Sequence, residues 1–335
     1  MKLLSDIVIC MPTYNRPELV EDTLKYELSA LKEFGIDIYV YDSSNNDLTE
    51  NIVNIYINKG YDNLYYVKLD CNITLKDKVF SIYNFYGFKR EYKYLWLKND
   101  VFGIRDTILN KISEYYNEKY NLILINNRDN EKIGIKKYNN INEFFDDCAW
   151  RSTLFGSVIL RCDLIKEVSL KELEKKYGDI EFYHVGLYFE SISHIKDFNA
   201  IHIGTEDGII YSNLKKGSYW EKKLFQVWCY CWQESIYKLP NIYINKALTI
   251  KKLGVLSELF SRTGIINARI KGIYNFKIYK KYINRILKIS NLKKSELLLI
   301  SLTPKVIFKF FNILIRIKNK VLKIKKNIFK ERGKV

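Results

Sequence analysis

The sequence predicts an α/β fold: a mostly parallel sheet flanked by helices, with a helical C-terminal extension. Apolar runs of strand length alternate with amphipathic segments through the first hundred residues, as successive βα units do. The first run, Ile7 to Met11, is stopped by Pro12 and a polar knot, and Pro17-Glu18 then opens a helical period. From about Thr249 onward only helical spacing is left.

Each element follows from its residues. Glu18–Phe34 carries Leu19, Leu24, Leu28 and Leu31 at helical spacing, and Gly35 stops it. Ile36–Tyr41 is a second buried strand, followed by the polar loop Asp42–Asp47. Leu48–Lys59 is a helix ending at Gly60, Leu64–Leu69 a third strand, Lys76–Phe88 a helix and Tyr92–Leu97 a fourth strand. The second half is less regular. Strands are expected at Asn121–Ile125, Ser157–Arg161 and Ala200–Ile203, and helices around Asn142–Cys148, Leu164–Tyr177 and Phe182–Ile192. Trp220–Lys238 reads as an aromatic helix closed by Pro240.

Composition narrows the class. The chain has 335 residues, with 47% hydrophobic residues and only 15 Gly and 4 Pro, which excludes a disordered polymer. Six cysteines lack a CxxC or a paired spacing, so free thiols in a reducing cytoplasm are expected. Asp6 and Pro12 interrupt the stretch a signal peptide would need, and no run is long enough to span a bilayer.

The net charge of +17 is not spread evenly. Residues 265–335 hold 20 Lys/Arg against Glu296 and Glu331, a net of +18, and residues 1–264 net to −1. Thr303-Pro304 reads as a helix start, with Val306, Phe310, Ile313, Ile317, Val321, Ile324 and Ile328 as an apolar stripe. Lys305, Lys309, Arg316, Lys320, Lys323 and Lys330 fill much of the rest. That pattern suits a helix lying on the inner face of an anionic membrane. A helix packed on the preceding α/β part of the chain, or one used for homo- or hetero-oligomerisation, is the alternative. Nucleic acid is not expected as a partner, because phosphate contacts need no broad Ile/Phe/Leu stripe.

The polar residues after the strands carry the chemistry. The turn Pro12-Thr13-Tyr14-Asn15-Arg16 lies where open α/β sheets bind ligands. Tyr14 offers a ring for a base, Thr13 and Asn15 hydrogen bonds, and Arg16 a fork for phosphate. Asp42 can accept from a base or ribose, and Asp100 can hold a divalent ion against a pyrophosphate.

Taken together, "VICMPTYNRP" (8–17), "VYDSSNND" (40–47) and "YLWLKND" (94–100) resemble the family 2 glycosyltransferases, which have the GT-A fold. "WRSTLFGSVILR" (150–161) and "SYWEKKLFQVWCYCWQESIYKLP" (218–240) are similar to segments of bacterial polysaccharide transferases of that family. The resemblance implies a GT-A catalytic domain over 1–215, with a nucleotide-binding half (1–105) and an acceptor half (106–215). A helical segment (216–264) and the basic tail (265–335) follow. It implies a nucleotide-sugar donor, UDP-sugar first, and a glycan or lipid-linked acceptor in cell-surface polysaccharide or capsule synthesis. The enzyme would then be peripheral on the membrane. By the same resemblance Thr13 and Tyr14 contact base and ribose, Asp42 reads the base, and Asn72 and Lys78 approach the donor.

Asp100 matches the metal-binding carboxylate of a DxD-type motif, with Mn2+ or Mg2+ as the ion and His202 as a possible further ligand. The motif reads Lys98-Asn99-Asp100, where the family places two or three carboxylates. Three readings stay open: Asp100 suffices with the donor phosphates, Lys98 takes part of the ion's role, or the chain is a catalytically silent GT-A-like subunit. For the general base the family uses a carboxylate at a helix start in the acceptor half. Asp179 and Glu181 are both candidates.

Overall fold

The computed structural model describes residues 3–125, 134–204, 209–214 and 219–310. The first strand, β1 (Ile7–Thr13), is buried along its whole length. Asn15 then takes a left-handed backbone (φ 50°), turning the chain into α1 (Pro17–Phe34), where Pro17 occupies the first turn at no hydrogen-bonding cost. Gly35 ends α1 with a left-handed φ of 73°, its N–H returning to helix carbonyls. Next come β2 (Asp37–Asp42), α2 (Leu48–Asn58), β3 (Leu64–Lys68), α3 (Leu75–Tyr83), β4 (Tyr94–Leu97), β5 (Phe102–Ile104) and α4 (Asp106–Tyr115). They are followed by β6 (Leu122–Ile125), β7 (Ile135–Tyr138), α5 (Ile141–Cys148), β8 (Val158–Arg161), α6 (Cys162–Lys166), α7 (Leu170–Tyr177), α8 (Tyr183–Ile192), β9 (Ala200–Ile203) and β10 (Ile209–Tyr211).

Eight strands form one sheet in the order β3-β2-β1-β4-β8-β6-β9-β7. The β3-β2-β1-β4 half is parallel throughout, as is β6 with β9, whereas β8 and β7 run against their neighbours. Register sets Thr13 opposite Asp42, and β1 pairs with β4 as far as Cys10 opposite Leu97. Pro12 comes two residues past that last pair, so its missing N–H breaks no rung of the β1–β4 ladder. β5 and β10 form a separate antiparallel pair.

Alternation assigns the faces. Ile7, Ile9 and Met11 of β1, Ile38 and Val40 of β2, and Trp96 of β4 join one apolar cluster with Val20, Leu24, Leu28 and Leu31 of α1 and Ile108 and Ile112 of α4. α3 packs against β1, with Val79, Ile82 and Tyr83 buried. One glycine is required by close approach. Gly156 has φ 100°, and a Cβ there would lie 2.3 Å from the Phe102 ring.

Some elements differ from the sequence expectation. Lys76–Phe88 is not one helix: α3 ends at Tyr83, and Phe85 and Gly87 take positive φ. Leu164–Tyr177 is broken because Ser169 caps α7, accepting from Glu172 N. The sequence expectation lacks β5, α4 and β7: β5 has only three residues, and β7 is an edge strand with a lysine pair.

Two compact units make up the chain: Met1–Ser218 with Glu234–Thr249, and Tyr219–Gln233 with Ile250–Val335. The expected aromatic helix is divided into a 3₁₀ turn (Tyr219–Glu221), a π-helix (Phe225–Cys231) and α9 (Trp232–Lys238). α10 (Lys246–Leu256), α11 (Arg262–Ile270), α12 (Phe276–Ile289) and α13 (Lys294–Leu302) follow. Within the second unit Phe225 packs against Phe260 and Tyr274, and Gly254 lies against the Ile289 carbonyl. Residues 305–310 are helical, consistent with a start at Thr303-Pro304, and the rest of the basic stripe lies outside the described residues. No described helix is long and apolar enough to cross a membrane.

Candidate functional site

At the carboxyl ends of β1, β2 and β4 the turns converge on a cleft of about 360 Å³. Pro12, Thr13, Tyr14, Arg16, Ser43, Lys78 and Asp100 line it, together with Cys71, Ile73 and Leu75 from the segment entering α3. Thr13 is the hub. Its hydroxyl donates to Asp100 Oδ2 at 2.8 Å, and its carbonyl accepts from Ser43 N at 3.4 Å and from the Lys78 ammonium. Arg16 Nη1 reaches Asp100 Oδ1 at 3.2 Å, and the Arg16 side chain is 53% exposed. Thr23 on α1 ties down the Asp100 carbonyl at 3.1 Å. Tyr14 is half exposed, leaving its ring available for stacking.

Lys78 shows why burial matters here. It is 2% exposed, and desolvation lowers its pKa to about 8, with Asp42 and Asp100 pulling upward and Arg16 adding to the depression. At neutral pH most of the ammonium is still charged.

Asp42 has a different task from the one its position suggests. It is fully buried and absent from the cleft lining. Its Oδ1 accepts from Ser44 N at 2.8 Å and from the Ser44 hydroxyl, and its Oδ2 accepts from Tyr66 OH at 2.9 Å. Hydrogen bonding to that carboxylate, after desolvation, raises the Tyr66 pKa. Ser44 Oγ in turn accepts from Asn15 N at 2.8 Å. Asp42 therefore locks the two turns together, and Ser43 is the residue of this loop that faces the cleft.

Lys98 leaves the site altogether. Its ammonium and the Glu27 carboxylate of α1 are 3.0 Å apart, both fully buried, and Glu27 also accepts from Ile104 N at 3.0 Å. Burial lowers the Lys98 pKa and raises that of Glu27. The idea that Lys98 takes over an ion's charge in the cleft is thereby corrected.

The residues present do not fit a Mn2+ or Mg2+ ion. Among the described residues Asp100 is the one carboxylate lining the cleft, and both its oxygens already accept from Thr13 and Arg16. The Asn99 amide oxygen accepts from Val101 N at 3.2 Å. His202 is corrected as a ligand, because β9 is three strand steps from β4, about 14 Å. It is buried, with its pKa lowered to about 4 by desolvation. Among the described residues no group of three His, Cys, Asp or Glu could hold a metal ion.

The remaining candidates are placed nearby or apart. Asn72 is exposed beside the cleft, its N–H held by Asp70 at 2.7 Å, and its neighbours Cys71 and Ile73 do the lining. Asp179 and Glu181 lie between α7 and α8, outside the cleft lining. Tyr183 at the start of α8 meets Phe80 of α3 at 5.9 Å, on the helix that carries Lys78. His184 is buried against the Thr153 carbonyl at 3.2 Å, its pKa lowered to about 3. Sequence reasoning missed Ser43 and Cys71. It also missed Ser212, whose N–H donates to Val101 O at 2.9 Å and brings the end of β10 beside the Asp100 turn.

No family model and no curated protein matches the sequence. Among solved structures the chain is similar to S. aureus TarS 1–349 in complex with UDP, at 15% identity over 85% of this chain and 79% of that one, with a TM-score of 0.50. It is also similar to the mannosyltransferase PcManGT from Pyrobaculum calidifontis (13% identity, 84% of this chain and 85% of that one, TM-score 0.47). A third likeness is to glucosyl-3-phosphoglycerate synthase from Mycobacterium tuberculosis (12% identity, 74% and 80%, TM-score 0.40). With the eight-stranded sheet order and the likeness to TarS, the first unit has the GT-A glycosyltransferase fold.

Proposed function

We propose that this chain is an inverting glycosyltransferase of the family 2 type. It would take a sugar from a nucleoside-diphosphate sugar, UDP-sugar first, and pass it to a glycan or lipid-linked acceptor of a cell-surface polysaccharide. One observation carries the reading: Thr13, Arg16, Lys78 and Asp100 meet in one cleft at the strand ends of a GT-A sheet. Tyr14 offers a stacking face for the base, and Arg16 and Lys78 offer charge to the diphosphate. UDP as the nucleotide is supported by its presence in the TarS complex.

In the transfer, the acceptor hydroxyl oxygen bonds to the anomeric carbon while the bond from that carbon to the diphosphate oxygen breaks. The hydroxyl proton passes to a carboxylate, Asp179 or Glu181, and the nucleoside diphosphate leaves with the bonding pair. The basic stripe from Val306 onward would hold the protein on an anionic membrane beside a lipid-linked acceptor.

The already paired carboxylate Asp100 also favours a second reading, a catalytically silent GT-A-like subunit that binds a partner transferase or glycan at the membrane. Incubating the purified chain with a panel of nucleotide-sugars, and measuring both binding and released nucleoside diphosphate, separates the two. Binding with release supports the transferase, and binding with no release from any donor supports the silent subunit. Absence of binding to every nucleotide-sugar sinks the transferase and leaves the silent subunit, whose own test is binding to a partner transferase or glycan.

A further inference from the structure

We propose that Arg16 and Lys78 provide the counter-charge for a nucleoside diphosphate in this cleft, and that the chain binds it without a divalent ion. The inference rests on the nucleotide-sugar reading above and adds to it how the diphosphate is neutralised.

The turn after β4 is depleted of metal ligands from both sides. Residue 98 is a lysine directed into the core onto Glu27, and Asn99 spends its amide oxygen on Val101 N. Val101 and Phe102, which follow Asp100, are apolar. A hard cation takes six or more oxygen ligands and draws heavily on carboxylates. Residues 98–102 offer one carboxylate. Its two oxygens are held by a hydroxyl at 2.8 Å and a guanidinium at 3.2 Å. An ion entering there would have to displace a cation that already neutralises the carboxylate.

The two cations are instead presented as a pair. Arg16 is anchored to Asp100 by one of its five N–H groups, and the half-exposed remainder of the fork lines the cleft. Lys78 is anchored to the Thr13 carbonyl by one of its three, and its stem is buried in α3. Thr13 and Asp100, themselves hydrogen-bonded, hold both cations in place before any ligand arrives. A preorganised fork and ammonium suit the oxygens of a diphosphate. Burial of Lys78 strengthens its interaction with an incoming anion.

The test is a calorimetric titration of the full chain with UDP, and with uridine as control, in EDTA and then in millimolar Mg2+ or Mn2+. The expected result is UDP affinity in EDTA within about twofold of that with metal. Arg16→Met should weaken UDP by about tenfold or more and leave uridine unchanged. Arg16 is half exposed, so that variant should unfold at the wild-type temperature. Asp100→Asn loosens the Arg16 anchor and should change UDP affinity by the same factor in EDTA as in metal, because in this reading Asp100 holds Arg16 and no ion. UDP binding that appears only with metal, or that Asp100→Asn abolishes in metal while Arg16→Met leaves it intact, overturns the inference and spares the nucleotide reading. No UDP binding under any condition overturns the nucleotide reading, and this inference with it.

Discussion

The Lys98 ammonium lies 3.0 Å from the Glu27 carboxylate, with neither side chain exposed to solvent. The pair joins the strand end that precedes Asp100 to the centre of α1, and Glu27 also fastens Ile104 N in β5. Removing one partner leaves a buried charge unmatched, at about 3–5 kcal/mol. Lys98→Met should therefore lower unfolding stability by about that amount in urea titrations. The double variant Glu27→Leu/Lys98→Met should recover most of it, retaining a loss of about 1 kcal/mol for the orphaned Ile104 N–H. Equal losses in the single and double variants would show that the pair has no such energetic coupling.

Much of the first half was legible because local signals agreed. Pro12 and Pro17 bracket the first turn, Gly35 closes α1, and apolar runs mark β1, β2 and β4. Thr13, Tyr14, Arg16, Lys78 and Asp100 line one cleft; the places at strand ends pointed to all of them but Lys78, which only the family resemblance brought in. What escaped depends on partners distant in sequence. Nothing near Lys98 says that it turns inward, since Glu27 is 71 residues away. Asp42 looked like a ligand-facing carboxylate because its partner Tyr66 lies on another strand. His202 ends a short apolar run as a ligand might, yet strand order, not sequence order, puts it far from Asp100.

Donor affinity should depend on pH through Lys78. Burial holds its pKa near 8 in the free protein, and a bound diphosphate favours the charged form and raises it. Binding therefore takes up a proton near and above pH 8. Affinity should be highest below about pH 7 and fall as pH rises through 8, by at most tenfold per unit. The UDP phosphates are mostly ionised by pH 7, and uridine titrated in parallel reports the part of the slope that comes from the base N–H. Titrations at pH 7, 8 and 9, in buffers of different ionisation enthalpy, measure both the slope and the proton uptake. A flat profile would place Lys78 away from the diphosphate.

Gly156→Ala should destabilise the first unit by about 2–4 kcal/mol, read as a lowered midpoint in chemical denaturation. The new methyl meets Phe102 at 2.3 Å, and φ 100° is strained for an L side chain. Adding Phe102→Leu should restore the steric part and leave about 1–2 kcal/mol of backbone strain. Since Phe102 is two residues beyond Asp100, the single variant should weaken UDP binding as well.

His202→Gln offers the opposite expectation. The residue is buried in β9, three strands from Asp100, so UDP affinity should stay within about twofold with or without Mn2+. Stability is the property that should change, because the imidazole is wholly enclosed. A loss of Mn2+-dependent binding in this variant would restore His202 as a ligand.

Asp179 and Glu181 are separable because they differ in exposure. Asp179 is exposed in the turn before α8 and Glu181 is half-buried beside it. A general base acts on the acceptor proton and contributes about 10²–10⁴-fold to turnover, without holding the donor. Asp179→Asn and Glu181→Gln should therefore both keep wild-type UDP affinity, and one of them should lower kcat by about 10²–10⁴-fold. The variant that removes the base should also lose the acidic limb of the pH–rate profile, whereas a merely structural carboxylate would leave that limb in place. If both variants keep full kcat, the base lies elsewhere in the acceptor half. If both lose UDP binding, the α7–α8 turn belongs to the donor site instead.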